Sequence, residues 1–354
     1  MAQTSAQPQS GYLSGPITDA IFLIGSPLLA VLVFLGFSSI PILNHPLDTV
    51  DSVLSKTTLT DSFIHVIIFG HLFIVFFRTH ANPDIFRLHK YRFTLVPLAL
   101  FMLTYLSQVA LAAVAVLAIW WDVYHSALQT FGIGRIYDMK RGNAPLVGRR
   151  LDYWLNLIIY VGPVLGGTTL MLHLAGADPI LQNSPSVAQA FFTWRPDDAT
   201  RSMMSWATVL IGIPFCLFYV GAYWRLAQRG YQVSYQKVAL LTILAVVSII
   251  CWGFSPLGSG YFVMNFFHAI QYFFIVWFIE KKNITSLFGV GKLPAGSFVA
   301  LALFMFVAMG YGVWTTVPVL QLDKHTMLCV MIVVSIMHFW YDGFVWSVRK
   351  GQVK

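Results

Sequence analysis

"MLCVMIVVSIMHFWYDGFVWSVRK", residues 327–350, is the stretch that decides the fold class. A helix needs about 20 predominantly apolar residues to cross a bilayer, and this run supplies them before it ends at Arg349 and Lys350. His338 and Asp342 nevertheless lie inside the run, one helical turn apart. Polar side chains in a spanning helix usually face the interior of a helix bundle. The stretch therefore predicts a transmembrane helix that presents polar chemistry to neighbouring helices.

The composition of the whole chain agrees with a membrane protein. Of its 354 residues, 57% are hydrophobic and 10% are charged, against about 25% charged residues in soluble domains. Apolar runs of similar length recur, so the sequence predicts an all-α, polytopic integral membrane bundle that forms a single domain over 1–354. In such a protein the positions of the cations, more than the formal charge of +8, carry the information, because they report the topology. The lipid bilayer is therefore the predicted partner, and nucleic acid is not.

Ten spans are predicted from apolar runs that end at charges, turns or polar loops. They lie near residues 18–38, 61–78, 93–110, 113–137, 151–174, 203–227, 233–253, 261–281, 296–317 and 326–348. Almost nothing polar separates the third span from the fourth. Residues 1–17 are predicted as an N-terminal tail, and 39–60 and 175–202 as the long external loops.

The positions of the cations provide an independent check, because cytoplasmic loops are enriched in lysine and arginine. With ten spans, all but four of the 22 cations fall on one face of the membrane, the four being Lys56, Arg195, Arg201 and Lys324. Both termini are therefore predicted to be cytoplasmic. The predicted location, a separate expectation, is a bacterial inner membrane.

Five histidines lie inside predicted spans, where polar groups need partners. They are His65, His71, His125, His268 and His338. All except His71 lie 10 to 13 residues before the cation that ends the span. At about 1.5 Å per residue, these four share a depth to within roughly 5 Å, so four helices are predicted to bring one histidine each to a common metal ion. His71, six residues after His65, is predicted to point elsewhere and to serve a second metal or a substrate.

Each of the four histidines has an acidic or amide companion three or four residues away, on the same helix face. The companions are Asp61 for His65, Asp122 and Gln129 for His125, Gln271 for His268, and Asp342 for His338. Such a group can accept the proton of one ring nitrogen and leave the other nitrogen as a metal ligand. Asp122 and Asp342 are predicted to be catalytic, orienting ligands or relaying protons, and Asp342 is alternatively a further ligand.

Imidazole ligands suit iron, copper or zinc better than magnesium or calcium, and iron is the predicted metal. The single glutamate, Glu280, excludes a ferritin-like site built from glutamates on four helices. The HxxxH and HxxHH spacings of membrane desaturases are absent, as are glycine motifs for nucleotides. The alternative is that each histidine is an ordinary buried polar residue, hydrogen-bonded across helices.

Four segments carry the predicted ligands: "FIHVIIFGH" (63–71), "DVYHSALQ" (122–129), "NFFHAIQY" (265–272) and "IMHFWYD" (336–342). A polytopic helical protein of this length with intramembrane histidines resembles, in general plan, the bacterial Brp/Blh-type carotene dioxygenases. The resemblance implies a non-haem iron held by His65, His125, His268 and His338. It also implies cleavage of a carotenoid to retinal.

The sequence therefore predicts a membrane non-haem metal oxidoreductase or oxygenase that acts on an apolar, lipid-soluble small molecule, with an electron donor as a further partner. Aromatic residues around the ligands would line a slot for a long apolar substrate. Two other functions stay open. The histidines would bind haem axially in a b-type electron-transfer protein, or relay protons or metal ions in a transporter.

Overall fold

The structure is a computed structural model that describes residues 11–44, 58–256, 260–317 and 323–346. Its α-helices, in chain order, are α1 (Pro16–Asp19), α2 (Ser26–Ser38), α3 (Leu59–Phe73), α4 (Val75–Arg78), α5 (Pro83–Leu106), α6 (Gln108–Lys140), α7 (Arg149–Leu165), α8 (Leu170–Ala175), α9 (Asp178–Leu181), α10 (Ser186–Phe192), α11 (Asp198–Gln228), α12 (Tyr235–Ser248), α13 (Gly260–Leu287), α14 (Gly296–Thr316) and α15 (Lys324–Val345). Two π-helical segments, Ala20–Ile24 and Ile249–Phe254, continue α1 and α12.

Seven helical segments within the described ranges are long and apolar enough to cross a membrane. They are Leu59–Arg78, Gln108–Lys140, Asp198–Gln228, Tyr235–Phe254, Phe262–Leu287, Gly296–Thr316 and Lys324–Val345. Two bent pairs, Pro16–Ile24 with Ser26–Ser38 and Arg149–Leu165 with Leu170–Leu181, raise the number to nine if each pair is one span. The predicted all-α class is confirmed, with seven to nine helices of spanning character.

The third predicted span, 93–110, is the one of the ten that has no counterpart among these nine segments. This run belongs to α5, whose first part carries Arg87, Lys90 and Arg92. From Phe93 to the end of α5 the helix rises only about 20 Å, which is less than the roughly 30 Å of a hydrocarbon core. Ser107 then has an extended backbone before α6 begins. The tenth span therefore stays a prediction.

The described residues form two compact units. The first unit consists of the described residues within Met1–Leu32, Val123–Leu172 and Arg195–Phe267. The second consists of those within Val33–Asp122, His173–Trp194 and His268–Lys354. Whether the chain is a single domain stays a prediction. The predicted external loop 175–202 contains α9, α10 and the first turn of α11. Of the other predicted loop and the tail, residues 45–57 and 1–10 lie outside the described residues.

In the second unit, α3 packs directly on α14 through glycines. A Cβ at Gly70 would lie 2.9 Å from the carbonyl oxygen of Ala308, and a Cβ at Gly312 would lie 2.1 Å from that of Val66. The two helix backbones therefore touch, with no room for a side chain between them. This contact fixes the rotation of α3 and so the direction in which His71, the neighbour of Gly70, points.

We expect Gly312→Ala to lower the thermal unfolding midpoint, because the new methyl group would push α3 and α14 apart; overpacking of this kind costs about 1–3 kcal/mol or more. Gly310→Ala on the same helix is the matched control, since its Cβ would meet nothing within 4 Å. That variant should be neutral or slightly stabilised. Intrinsic tryptophan fluorescence during heating in detergent measures both, and equal midpoints for the two variants would contradict the close packing.

Helix α5 runs antiparallel to α15 in the same unit. Near one end the rings of His89 and Phe344 lie 4.8 Å apart between centroids. At the other end, Nε2 of His325 lies 2.9 Å from the carbonyl oxygen of Tyr105. Contacts at both ends mean that α5 follows most of the length of α15.

A buried ion pair joins the ends of α4 and α15 to α13. Arg78 pairs with Glu280, and its Nε and Nη2 donate to the carbonyl oxygen of Val345 at 3.3 and 2.9 Å. Asn82 donates to the second carboxylate oxygen of Glu280 at 2.9 Å. Because both charged side chains are almost completely buried, the pair holds the three helices in one arrangement.

The first unit contains a larger network of buried charges, where α6, α7 and α12 meet. Arg135 donates to Asp138 and Asp152 at 2.7 and 2.6 Å. Lys237 Nζ lies 2.8 Å from Asp138 and 3.3 Å from Asp152. All four side chains are buried. Two positive and two negative charges balance one another, which is the condition under which buried ions are tolerated.

Tyrosines from α11 and from the segment before α12 complete this network. Tyr219 and Tyr223 donate to Asp152 at 2.8 and 2.6 Å, and Tyr231 donates to Asp138. Tyr223 and Tyr231 also accept from Lys237, each at 3.0 Å. The two carboxylates, on α6 and α7, therefore link these helices to α11, to the segment before α12 and to α12.

Candidate metal centre

Three buried histidines converge in the second unit, one each from α3, α13 and α15. His71, His268 and His338 each offer a ring nitrogen, and these three atoms lie within 4.8 Å of one another. The ring centroid of His71 is 5.3 Å from that of His268 and 5.1 Å from that of His338. Metal-bound imidazole nitrogens lie slightly more than 3 Å apart, so small side-chain movements would bring the three onto one ion.

His71 is held in the tautomer that a metal ligand requires. Its Nδ1 donates to the carbonyl oxygen of Ile68, so Nε2 carries the lone pair. Among the residues that the structure describes, this buried Nε2 has no hydrogen-bond partner. A buried acceptor without a partner costs about 1–3 kcal/mol, which a bound cation would offset.

His338 is oriented in the same way by a different carbonyl group. Its Nδ1 donates to the carbonyl oxygen of Leu72 at 3.2 Å, across helices from α15 to α3. A carbonyl oxygen can only accept, so Nε2 of His338 also carries the lone pair. Hydrogen bonds from the distal nitrogen are the usual way in which proteins orient histidine ligands.

His268 and Tyr272 lie one turn apart on α13 and face the other two histidines. His268 is completely buried. The ring of Tyr272 meets that of His338 edge-on, with centroids 4.6 Å apart, and lies 6.2 Å from that of His71. The Tyr272 ring therefore packs directly against the three-histidine cluster.

His65 is not in this cluster, although it is on the same helix as His71. Six residues separate them, which turns their side chains by about 120° relative to each other around the helix. The ring of His65 stacks on Phe69 instead, with centroids 6.1 Å apart. Its predicted companion Asp61 forms a capping box with Thr58 at the start of α3, accepting from the backbone N–H of Thr58 at 3.2 Å.

The remaining residues predicted from the sequence are distributed over both units. His125 and Gln129 belong to the first unit, where His125 is buried, and their roles stay predictions. Asp122 is half-buried in the second unit, and among the described residues it is not grouped with the three clustered histidines. Gln271 is completely buried on α13, three residues after His268.

Asp342 lies at the edge of the cluster, one turn after His338. One of its oxygens, Oδ1, accepts from the Tyr272 hydroxyl at 2.6 Å and from Nε1 of Trp346 at 2.8 Å. The other, Oδ2, lies 4.0 Å from Nε2 of His338. Reasoning from the sequence placed Tyr272 only among the aromatic residues around the ligands and gave no hydrogen-bonding role to either donor, although the four-residue spacings His268–Tyr272 and Asp342–Trp346 could have pointed to one.

The arrangement is suited to holding a borderline-soft divalent cation. Imidazole nitrogens from three buried side chains are a ligand type that such ions prefer. The chain matches no family model, no curated protein and no solved structure. A functional interpretation therefore rests on the side chains of this site.

Proposed function

We propose that this protein is an integral membrane metalloprotein in which His71, His268 and His338 bind one transition-metal ion, and that it acts as an oxidoreductase on a lipid-soluble substrate. One observation carries the proposal: ring nitrogens from three separate helices lie within 4.8 Å of one another in a buried core. Lone pairs on His71 and His338, fixed by backbone carbonyl groups, support it.

Iron is the proposed metal, with copper and zinc as alternatives. A nitrogen-rich site suits all three ions, and iron supplies one-electron redox chemistry and a coordination position for O₂. The resemblance in plan to membrane carotene dioxygenases favours an oxygenase. Insertion of both atoms of O₂ across a carbon–carbon double bond gives two carbonyl groups and needs no outside electrons.

The substrate class follows from where the site lies. All three histidines are buried within helices of spanning length, and the nearest groups are aromatic. Surroundings of this kind favour apolar ligands. We therefore propose a substrate that enters from the lipid phase, such as a polyene.

A b-type haem fits this geometry less well. Two axial imidazoles face each other across the plane of a porphyrin. A third imidazole whose ligand atom lies within 4.8 Å of both would occupy space that the macrocycle needs. The cluster therefore favours a single ion without a macrocycle.

We further propose ten spans with both termini in the cytoplasm of a bacterial inner membrane. The antiparallel course of α5 along α15 supports the tenth span, because contacts run from His89 with Phe344 to Tyr105 with His325. From His325 to Phe344, α15 rises about 29 Å, close to the thickness of a hydrocarbon core. α5 would cross the same depth, with its charged first part in the interface.

Elemental analysis of the purified native protein, together with its absorption spectrum, tests the metal proposal. We expect stoichiometric iron, copper or zinc that survives brief chelation, and no Soret band. His338→Ala should lose the metal, whereas His173→Ala should keep it, because His173 packs on Trp120 outside the cluster. A Soret band would favour haem, metal that exchanges freely would favour transport, and either would contradict the proposal.

Oxygen uptake tests the oxidoreductase proposal separately. Native protein in detergent with a carotenoid should consume O₂ and yield aldehyde products, and His338→Ala should not. If native protein loaded with metal consumed no O₂ with any polyene, this substrate class would be rejected. The proposed metal site would be unaffected.

A further inference from the structure

We propose that Tyr272 is a redox-active tyrosine, which supplies one electron to the metal ion while its phenolic proton moves to Asp342. The inference deepens the proposed function and rests on it, because the electron acceptor is the metal held by His71, His268 and His338. It gives the site a second activity besides substrate oxidation. When O₂ has reacted and no substrate is bound, Tyr272 returns the metal to a less oxidised state.

The first argument is the position of the Tyr272 ring beside the proposed ligands. Its centroid lies 4.6 Å from that of His338 and 6.2 Å from that of His71. His268 is four residues earlier on α13, so the ring stands one turn from the third ligand as well. Electron tunnelling is fast between groups in contact, because its rate falls steeply with distance. Tyr272 is therefore placed to exchange an electron with a metal ion bound by these imidazoles.

The second argument is the carboxylate that accepts a hydrogen bond from the Tyr272 hydroxyl. A phenol that loses an electron becomes strongly acidic, and a charge left in an apolar core is costly. Oxidation of a buried tyrosine therefore needs a proton acceptor within hydrogen-bond reach. The Tyr272 hydroxyl lies 2.6 Å from Oδ1 of Asp342, on the neighbouring helix α15. The proton needs to move only along this existing hydrogen bond.

Two other tyrosines of the second unit have buried hydroxyl groups that lack such an acceptor. Among the residues that the structure describes, the hydroxyls of Tyr311 and Tyr341 have no hydrogen-bond partner. Oxidation of either one would leave a radical cation in apolar surroundings, because its proton has no base to move to. Within this unit, the hydrogen bonding of the buried tyrosines therefore favours Tyr272 as the one that is oxidised.

The neighbouring Trp346 is a less suitable electron donor than Tyr272. Its ring centroid lies 6.2 Å from that of Tyr272, and its indole N–H donates to the same oxygen of Asp342 at 2.8 Å. The guanidinium of Arg78, however, lies 4.7 Å from the centre of the Trp346 ring. A positive charge over an indole is attracted by the electrons of the ring, so removal of one of these electrons is disfavoured. The oxidised group is therefore Tyr272.

Electrons and protons balance in the proposed step. O₂, the co-substrate of the proposed reaction, takes electrons from the metal and leaves it in a strongly oxidising state. One electron then passes from Tyr272 to the metal, whose oxidation state falls by one. The phenolic O–H bond breaks, a new O–H bond forms at Oδ1 of Asp342, and Tyr272 is left as a neutral radical. A one-electron donor restores the phenol in a separate step, in which the proton returns from Asp342.

The experiment adds hydrogen peroxide, which supplies oxidising equivalents in place of O₂, to iron-loaded full-length protein in detergent without substrate. Rapid freezing followed by electron paramagnetic resonance detects radicals. We expect a radical signal in native protein that narrows when the tyrosines carry ring deuterium. Tyr272→Phe should lose this signal and keep its iron, because Tyr272 is not a ligand. Tyr341→Phe is the matched control and should retain the native signal, since its buried hydroxyl has no proton acceptor among the described residues.

Asp342→Asn tests the proton acceptor. Asparagine keeps the shape of the side chain and cannot take up the phenolic proton. The radical should therefore form at least about 100-fold more slowly, since a positioned acid or base contributes about 10²–10⁴-fold to a proton transfer. Asp323→Asn makes the same substitution on the same helix. Asp323 caps α15 by accepting from the N–H of Thr326 at 3.0 Å, and asparagine caps equally well, so this variant should form the radical at the native rate.

An infrared measurement on the unmodified protein guards against a variant that fails to fold. Formation of the radical should create the carbonyl stretching band of a protonated carboxylic acid. A tyrosyl radical that appears without this band would overturn proton transfer to Asp342 without any substitution.

The remaining outcomes separate this inference from the proposed function. Iron-loaded native protein that forms no tyrosyl radical, or a native signal that persists in Tyr272→Phe, would overturn the inference and leave the histidine site intact. A native rate of radical formation in Asp342→Asn would overturn the role of the carboxylate. Native protein that binds no redox-active metal would contradict the proposed function itself, and the inference with it.

Discussion

Replacing His71 with alanine is expected to weaken metal binding by more than about 100-fold. The variant removes a direct ligand, and loss of a group that merely orients a ligand already costs about 10–100-fold. His71 is a direct test of the site, because its Nε2 is buried without a hydrogen-bond partner among the described residues. The measurement is metal content after purification, followed by Co²⁺ titration of the stripped protein.

His65→Ala is the matched control for this prediction, since it makes the same change on the same helix. We expect it to retain native metal content, because its ring stacks on Phe69 and lies outside the cluster. Loss of metal from His65→Ala together with retention by His71→Ala would reverse the assignment of the α3 ligand. It would favour the four histidines chosen from depth alone.

Replacing Lys237 with methionine is expected to destabilise the protein by about 3–5 kcal/mol, the usual cost of removing one partner from a buried ion pair. Lys237 Nζ contacts Asp138 at 2.8 Å and Asp152 at 3.3 Å, and all three are buried. Arg135 alone would then face two carboxylates. The apparent unfolding midpoint in detergent, followed by tryptophan fluorescence, should fall by several degrees.

Two further variants separate charge balance from simple loss of packing. Lys281→Met changes an exposed lysine and should leave the midpoint nearly unchanged. Combining Lys237→Met with Asp138→Asn removes one charge of each sign, and part of the lost stability should return. Purely additive losses in the double variant would mean that the two charges are not coupled.

The helices themselves could be predicted from the sequence, because length and apolar character determine them. The predicted spans 296–317 and 326–348 correspond closely to α14 and α15, and 203–227 lies within α11. The boundary between α5 and α6 was harder to predict, since only Ser107, in extended backbone, interrupts an otherwise apolar run. Local composition carries little information about such a break.

The choice between His65 and His71 shows where sequence reasoning reached its limit. The depth predicted for His65 takes Arg78, the cation that ends its span, as the membrane surface. Arg78 is instead buried against Glu280, so it marks no interface. The rotation of α3 also depends on the backbone contact between Gly312 and Val66, which no pattern within α3 reveals.

Buried charges were missed for a related reason. Lys237 and Arg135 were counted as loop cations that report topology, yet both are buried in the first unit. Lys237 lies 99 residues from Asp138 and 85 from Asp152 in the sequence, so the network is visible only once α6, α7 and α12 have packed. The hydrogen bond from Tyr272 on α13 to Asp342 on α15 likewise appears only once those helices have packed.

X-ray absorption at the edge of the bound metal tests the central claim most directly, namely that imidazoles from α3, α13 and α15 meet on one ion. We predict about three imidazole rings in the first coordination shell, at roughly 2.1 Å, with the multiple-scattering pattern that these rings produce. A native protein that holds no transition metal, or a bound metal with one imidazole or none, would contradict the account.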